Sequence, residues 1–164
     1  MSASWEVAAR DAIRELVAAY AHCGDRGRFD DLCSLFAPDG VLELDGGRVV
    51  AGRDALLAFL TDTGQAVRGE DEHAFIRHHV SSVQVTIDDP DHAHGASYFF
   101  VVTQRGPDHW GRYRDRYVRA DARWVFAHRR VRVDGVAPGS WAAERRRSLH
   151  QTGGGSGPGG RGPS

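Results

Sequence analysis

Apolar residues along the chain change their spacing once, near residue 74, and that change divides the sequence into a helical half and a strand half. Ile13, Leu16, Val17 and Tyr20 fall at i, i+3, i+4 and i+7, one apolar stripe on a helix over about Ser4 to Cys23 that Gly24 stops. Phe29, Leu32, Leu35 and Phe36 mark a short second helix. Pro38-Asp39-Gly40 reads as a turn, Val41 to Leu44 as a strand, Asp45-Gly46-Gly47 as a hairpin turn and Arg48 to Ala51 as the return strand. Asp54 is expected to cap a third helix carrying Leu56, Leu57, Phe59 and Leu60, and the polar stretch from Gly64 to His73 to be a loop.

Beyond that point the period is two. Phe75 to Ile87 predicts one long strand whose apolar parity switches between Val80 and Val83, which implies a bulge near Ser81-Ser82. Ala96 to Val102 is almost wholly apolar and predicts a central strand buried on both faces. Gly106-Pro107-Asp108 reads as a turn, followed by strands over about His109 to Arg119 and Arg123 to Val133. Helices first and an antiparallel meander last indicate an α+β fold, with a long bent sheet enclosing a cavity against the helices. One domain over residues 1–137 is expected. Residues 138–164 form an extension ending in a Gly/Pro/Ser-rich tail that has no apolar anchor and is expected to be disordered.

Composition narrows the function classes. Net charge is −1, from 21 basic and 22 acidic residues, which gives no support to nucleic acid or a membrane surface as partner. All the basic residues are arginine, so Schiff-base chemistry through lysine is excluded. The two cysteines, Cys23 and Cys33, do not make a disulfide framework. The first twenty residues are charged and amphipathic, unlike a secretory signal, and a reduced, cytoplasmic protein is expected. No predicted strand-to-helix turn carries a nucleotide-binding glycine motif, and no G-x-S-x-G elbow is present in the sequence.

The candidate chemistry lies on three segments. Between His109 and Arg119, Gly111, Tyr113, Asp115 and Tyr117 share one parity and Arg112, Arg114 and Arg116 the other. Three arginines cannot line a dry interior, so Tyr113 and Asp115 face inward. There Asp115 is either paired, with Tyr113 or a neighbouring arginine, or available to a substrate. The arginine face, with Trp110 and Val118, suits a homodimer interface. Tyr20 and Asp25 fall where the first helix ends and can face one space; each is also explicable as a core aromatic and a turn residue. In Arg77-His78-His79 only one histidine can face the cavity, and His78 shares parity with Ile76 and Val80. An inward histidine beside a carboxylate is a good general base. His128 shares nominal parity with Trp124 and Phe126 and is expected to line the pocket. His92-x-His94 could offer two imidazoles to a metal, but no third ligand lies nearby, and no metal or cofactor is expected.

Together, Ala12-Ile13-Arg14-Glu15-Leu16 through Tyr20 and Asp25 to Leu35-Phe36-Ala37-Pro38-Asp39-Gly40, then Arg77-His78, Gly111-Arg112-Tyr113-x-Asp115 and Trp124-x-Phe126-Ala127, resemble the SnoaL-like branch of the nuclear transport factor 2-like superfamily. The resemblance spans about Ala8 to Asp134. It implies a cone-shaped α+β barrel, with three N-terminal helices in the concave face of a strongly bent, mainly antiparallel sheet. Tyr20, Asp25 and His78 look like the tyrosine, aspartate and histidine of the scytalone and bile-acid 7α-dehydratases. What that implies is a small-molecule lyase removing water from a hydroxylated carbonyl compound, such as a polyketide or steroid-like metabolite. The superfamily also contains polyketide cyclases, ketosteroid-isomerase-like enzymes, and ligand-binding or oxygenase accessory subunits. On this reading Tyr20, Asp25 and His78 are catalytic, and Tyr113, Asp115 and His128 bind substrate.

Overall fold

The computed structural model describes residues 4–69 and 74–152. Its elements are α1 (Ser4–Asp25), α2 (Phe29–Ser34), β1 (Phe36–Glu43), β2 (Val49–Ala51), α3 (Arg53–Arg68), β3 (Ile76–Ile87), β4 (His92–Thr103), β5 (Gly106–Ala120), β6 (Arg123–Val136) and α4 (Trp141–Thr152). The six strands form one curled sheet in the order β2-β1-β6-β5-β4-β3. Every pairing is antiparallel except β1 with β6. The sheet does not close, and the helices of the N-terminal half fill its concave side. This is the α+β cone expected from the order of elements.

The core sits between that concave face and the helices. The α1 stripe of Ile13, Leu16 and Val17 packs with Leu32 and Cys33 of α2, Phe36 and Leu42 of β1, Leu56 of α3, and Tyr117 and Phe126 of the long strands. Ile13, Phe36, Leu56 and Phe126 lose all contact with solvent. Full burial of side chains this large contributes about 1.5–3 kcal/mol each. Cys23 and Cys33 are buried and unpaired. Among the described residues no helix is long and apolar enough to cross a membrane.

Several local readings are corrected by tertiary contacts. The α1 helix runs on through Gly24 to Asp25. Pro38-Asp39-Gly40 is not a turn between elements but lies inside β1, as the irregularity between Phe36 and Val41, the residues on either side that pair with β6. The α3 helix is capped by Gly52 at φ +84°, not by Asp54, and Arg53 ties its start to β1 by donating to the Phe36 carbonyl at 3.0 and 2.6 Å. It continues through Gly64 to Arg68, where a loop is expected from sequence. A Cβ at Gly64 would lie 2.5 Å from the Phe29 ring, so this glycine lets α2 and α3 approach rather than breaking the chain. The strand β4 is buried on one face only: Tyr98 is 57% exposed and Phe100 39%.

Bulges decide which side chains face inward. In β3 the register shifts between Ser81 and Gln84, with Ser82 at φ +52°. The turn after β4 lies at Gln104-Arg105, so Gly106-Pro107-Asp108 already belongs to β5. There Val101 pairs with His109 and Val102 with Pro107, leaving Asp108 as the extra residue. In β6, Arg116 pairs with His128 and Tyr117 with Phe126, leaving Ala127 as the extra residue. The strand extends to Val136, and α4 follows within the stretch expected to be an extension. The Gly/Pro/Ser-rich segment from residue 153 onward lies outside the described residues.

Candidate active site

The fold holds a cavity of about 240 Å³, a little below the usual range of small-molecule pockets. Its walls are mostly apolar, with Phe29, Leu42, Phe59, Leu60, Phe99 and Val131 among them. Into this lining project Tyr20, Asp25, His78, His109, Tyr113 and Thr63, while Trp141 of α4 closes one side. An apolar wall with few polar groups strengthens each electrostatic contact made inside it.

The central pair is Asp25 and His78. The end of α1 delivers Asp25 to the first turn of β3, where its two carboxylate oxygens accept the His78 backbone N–H at 3.2 and 3.1 Å. Asp25 Oδ1 also lies 2.6 Å from His78 Nδ1. Backbone and ring are held by one carboxylate, so both the position and the orientation of the imidazole are set. With Nδ1 engaged, Nε2 is the ring nitrogen left for a molecule in the cavity. His79 is exposed on the opposite face of β3.

Tyr20 lies one and a half helical turns before Asp25. Its ring meets Phe126 edge-on at 5.6 Å and Tyr113 at 6.2 Å. Burial pushes the Tyr20 phenol above its ordinary value, against the opposing pull of the Arg129 guanidinium. Tyr113, stacked on Phe99 at 4.6 Å, is likewise pushed up by burial. Both hydroxyls therefore stay protonated at neutral pH and can donate hydrogen bonds into the cavity.

The other three expectations are met differently. Asp115 does face inward, but it is fully engaged. It accepts Arg129 Nε at 2.9 Å, Arg129 Nη2 at 2.7 Å and the Tyr117 hydroxyl at 3.0 Å, and it is not part of the cavity wall. His128 is on the outer side of the sheet, 3.4 Å from Glu43. The Ala127 bulge is the reason: it breaks the alternation that seemed to group His128 with Phe126 and turns Arg129 inward instead. His92 and His94 pair with Asp89 and Asp88 of the preceding turn, each at 3.0 Å.

Sequence reasoning missed Arg129, His109 and Trp141. Arg129 is fully buried, and its guanidinium carbon lies 4.1–4.3 Å from the ring centroids of Tyr20, Tyr113 and Phe126. An inward Asp115 signals that some cation must meet it, but only the bulge determines which of the arginines in β6 does so.

Known proteins share this fold. Residues 5–130 match the family described as the SnoaL-like domain. A putative scytalone dehydratase from Novosphingobium aromaticivorans superposes with a TM-score of 0.72 at 22% identity, over 81% of this chain and 89% of the other. A protein of unknown function from Mycobacterium tuberculosis gives 0.71 at 27% identity, over 85% of each chain. ActVI-ORFA from Streptomyces coelicolor gives 0.69 at 19% identity, over 80% of this chain and 99% of the other. No curated protein matches the chain by sequence.

Proposed function

We propose that this chain, which belongs to the SnoaL-like domain family, is a small-molecule lyase that removes water from a hydroxylated carbonyl compound by acid–base catalysis. The observation that carries the reading is the 2.6 Å contact between Asp25 and His78 at the wall of an apolar cavity. His78 Nε2 takes the proton from the carbon beside the carbonyl. The electron pair left behind forms the new carbon–carbon double bond as the carbon–oxygen bond breaks. The imidazolium returns its proton to the departing hydroxide, which leaves as water. Asp25 stabilises the imidazolium between these steps, and Tyr20 donates a hydrogen bond to the carbonyl oxygen as negative charge builds there.

Cyclase or isomerase chemistry could use the same dyad, but a mechanism with Asp115 as base is disfavoured by its pairing with Arg129 and Tyr117. Small polyketide-like β-hydroxyketones incubated with the enzyme should yield a product lighter by one water. The same product from His78→Ala should form about 10²–10⁴-fold more slowly. A product of unchanged mass would refute elimination in favour of cyclisation or isomerisation.

A further inference from the structure

A second aspartate–histidine pair faces the same cavity. His78 pairs with Val101 of β4, and Val101 pairs in turn with His109 of β5. The two histidines therefore stand in one row across the sheet, on the same face, with Val101 between them. Two strand spacings separate their Cα atoms, about 10 Å. Both line the cavity. A small molecule in the cavity therefore meets one imidazole from β3 and a second from β5.

The second imidazole is held as firmly as the first. Asp108, the bulged residue of β5, has a side chain only 1% exposed, and its Oδ1 lies 2.7 Å from His109 Nδ1. The same carboxylate accepts the backbone N–H of Trp141 at 2.9 Å and of Ala142 at 3.3 Å, at the start of α4. An ionised carboxylate suits that end of a helix. Asp108 can only accept, so Nδ1 carries the proton and Nε2 presents a lone pair. On its other side the ring meets Phe99 edge-on, with centroids 5.7 Å apart.

We infer that His109 is a substrate-binding residue: its Nε2 accepts a hydrogen bond from a hydroxyl of the ligand, on the side of the cavity away from His78. The substrate class is thereby narrowed to molecules with a hydroxyl or phenol about one ring system away from the carbon that loses its proton. This rests on the elimination reading only for that last phrase. The acceptor role of His109 stands without it. A neutral acceptor also suits the site, because a second cation would oppose the imidazolium formed at His78.

The test needs no natural substrate. Affinities of the full chain for 2-naphthol and for naphthalene are measured by titration calorimetry or ligand fluorescence. The ratio favouring the naphthol should fall roughly tenfold in His109→Phe, the size of one hydrogen bond lost in an apolar site. His109→Gln, which returns an acceptor oxygen, should recover most of it. In the unsubstituted protein, ¹⁵N NMR of the ring should report the neutral tautomer protonated at Nδ1. A ratio unchanged in His109→Phe, an unsubstituted protein that binds neither probe or both equally, or a ring protonated at Nε2 would each overturn the inference. The role of His78 as base is read from turnover, not from this ratio, so the two claims fail separately.

Discussion

Asp115→Ala isolates the most costly electrostatic arrangement in the fold. Arg129 and Asp115 have side chains 0% and 1% exposed, joined by two hydrogen bonds of 2.9 and 2.7 Å. Among the described residues, Arg129 Nη1 has no hydrogen-bond acceptor. Asp115 therefore supplies the compensating charge, assisted by the faces of Tyr20, Tyr113 and Phe126. Burial pulls the guanidinium pKa down and Asp115 raises it, and even without Asp115 an arginine keeps its proton, so Arg129 cannot escape by losing it. Removing the carboxylate leaves a buried cation unpaired, at a cost of about 3–5 kcal/mol. That is about a fifth or more of the stability of a typical domain and corresponds to a melting temperature lower by roughly 6–20 °C. Urea unfolding with the slope checked for constancy measures it directly. The double variant Asp115→Leu with Arg129→Met should regain most of the loss, because an apolar pair in place of a buried ion pair is often neutral. A loss below about 1 kcal/mol for Asp115→Ala would show that water reaches the guanidinium, and the argument from desolvation would fail.

Asp25→Asn should slow turnover about as much as His78→Ala, since it keeps the shape and removes the charge, whereas His79→Ala should be nearly silent; turnover lost in His79→Ala alone would mean that the other histidine acts as base. Burial holds the His109 pKa below its ordinary value, against the pull of Asp108. Below about pH 6.5 the unfolded chain binds a proton that the folded chain refuses. Its contribution to stability is therefore present above that pH and is lost as the pH falls towards the folded value, by at most about 1.4 kcal/mol per unit, and the slope should be shallower in His109→Phe. A homodimer through the outer sheet face, where Tyr98, Phe100 and Trp110 stand exposed beside Arg112, is a further proposal. Sedimentation should give a dimer at micromolar concentration that Tyr98→Asp dissociates; a monomeric unsubstituted chain refutes it.

The local spacing of apolar residues was enough to establish the fold class, because each long element carries its own period. The α1 stripe, the hairpin around Gly46-Gly47 and the parity switch at Ser81-Ser82 are all properties of a few neighbouring residues, and they lead to the helices, the turn and the bulge observed. The same alternation brought His78, Tyr113 and Asp115 to the inner face. What the sequence could not carry was any placement that depends on a distant partner. Gly64 looked like a helix end because the Phe29 ring that needs its missing Cβ lies 35 residues away. Pro38-Asp39-Gly40 looked like a turn because the β6 residues that hold Phe36 and Val41 on either side of it are distant in sequence. Two of the unread bulges had the largest effect, since one extra residue inverts every side chain beyond it. At Ala127 the inversion sends His128 out and Arg129 in, and at Asp108 it turns a presumed turn residue into the buried carboxylate that holds His109. Bulges that no apolar parity switch marks are set by how neighbouring strands must bend around the helices, so only the assembled sheet decides which charged groups the interior contains.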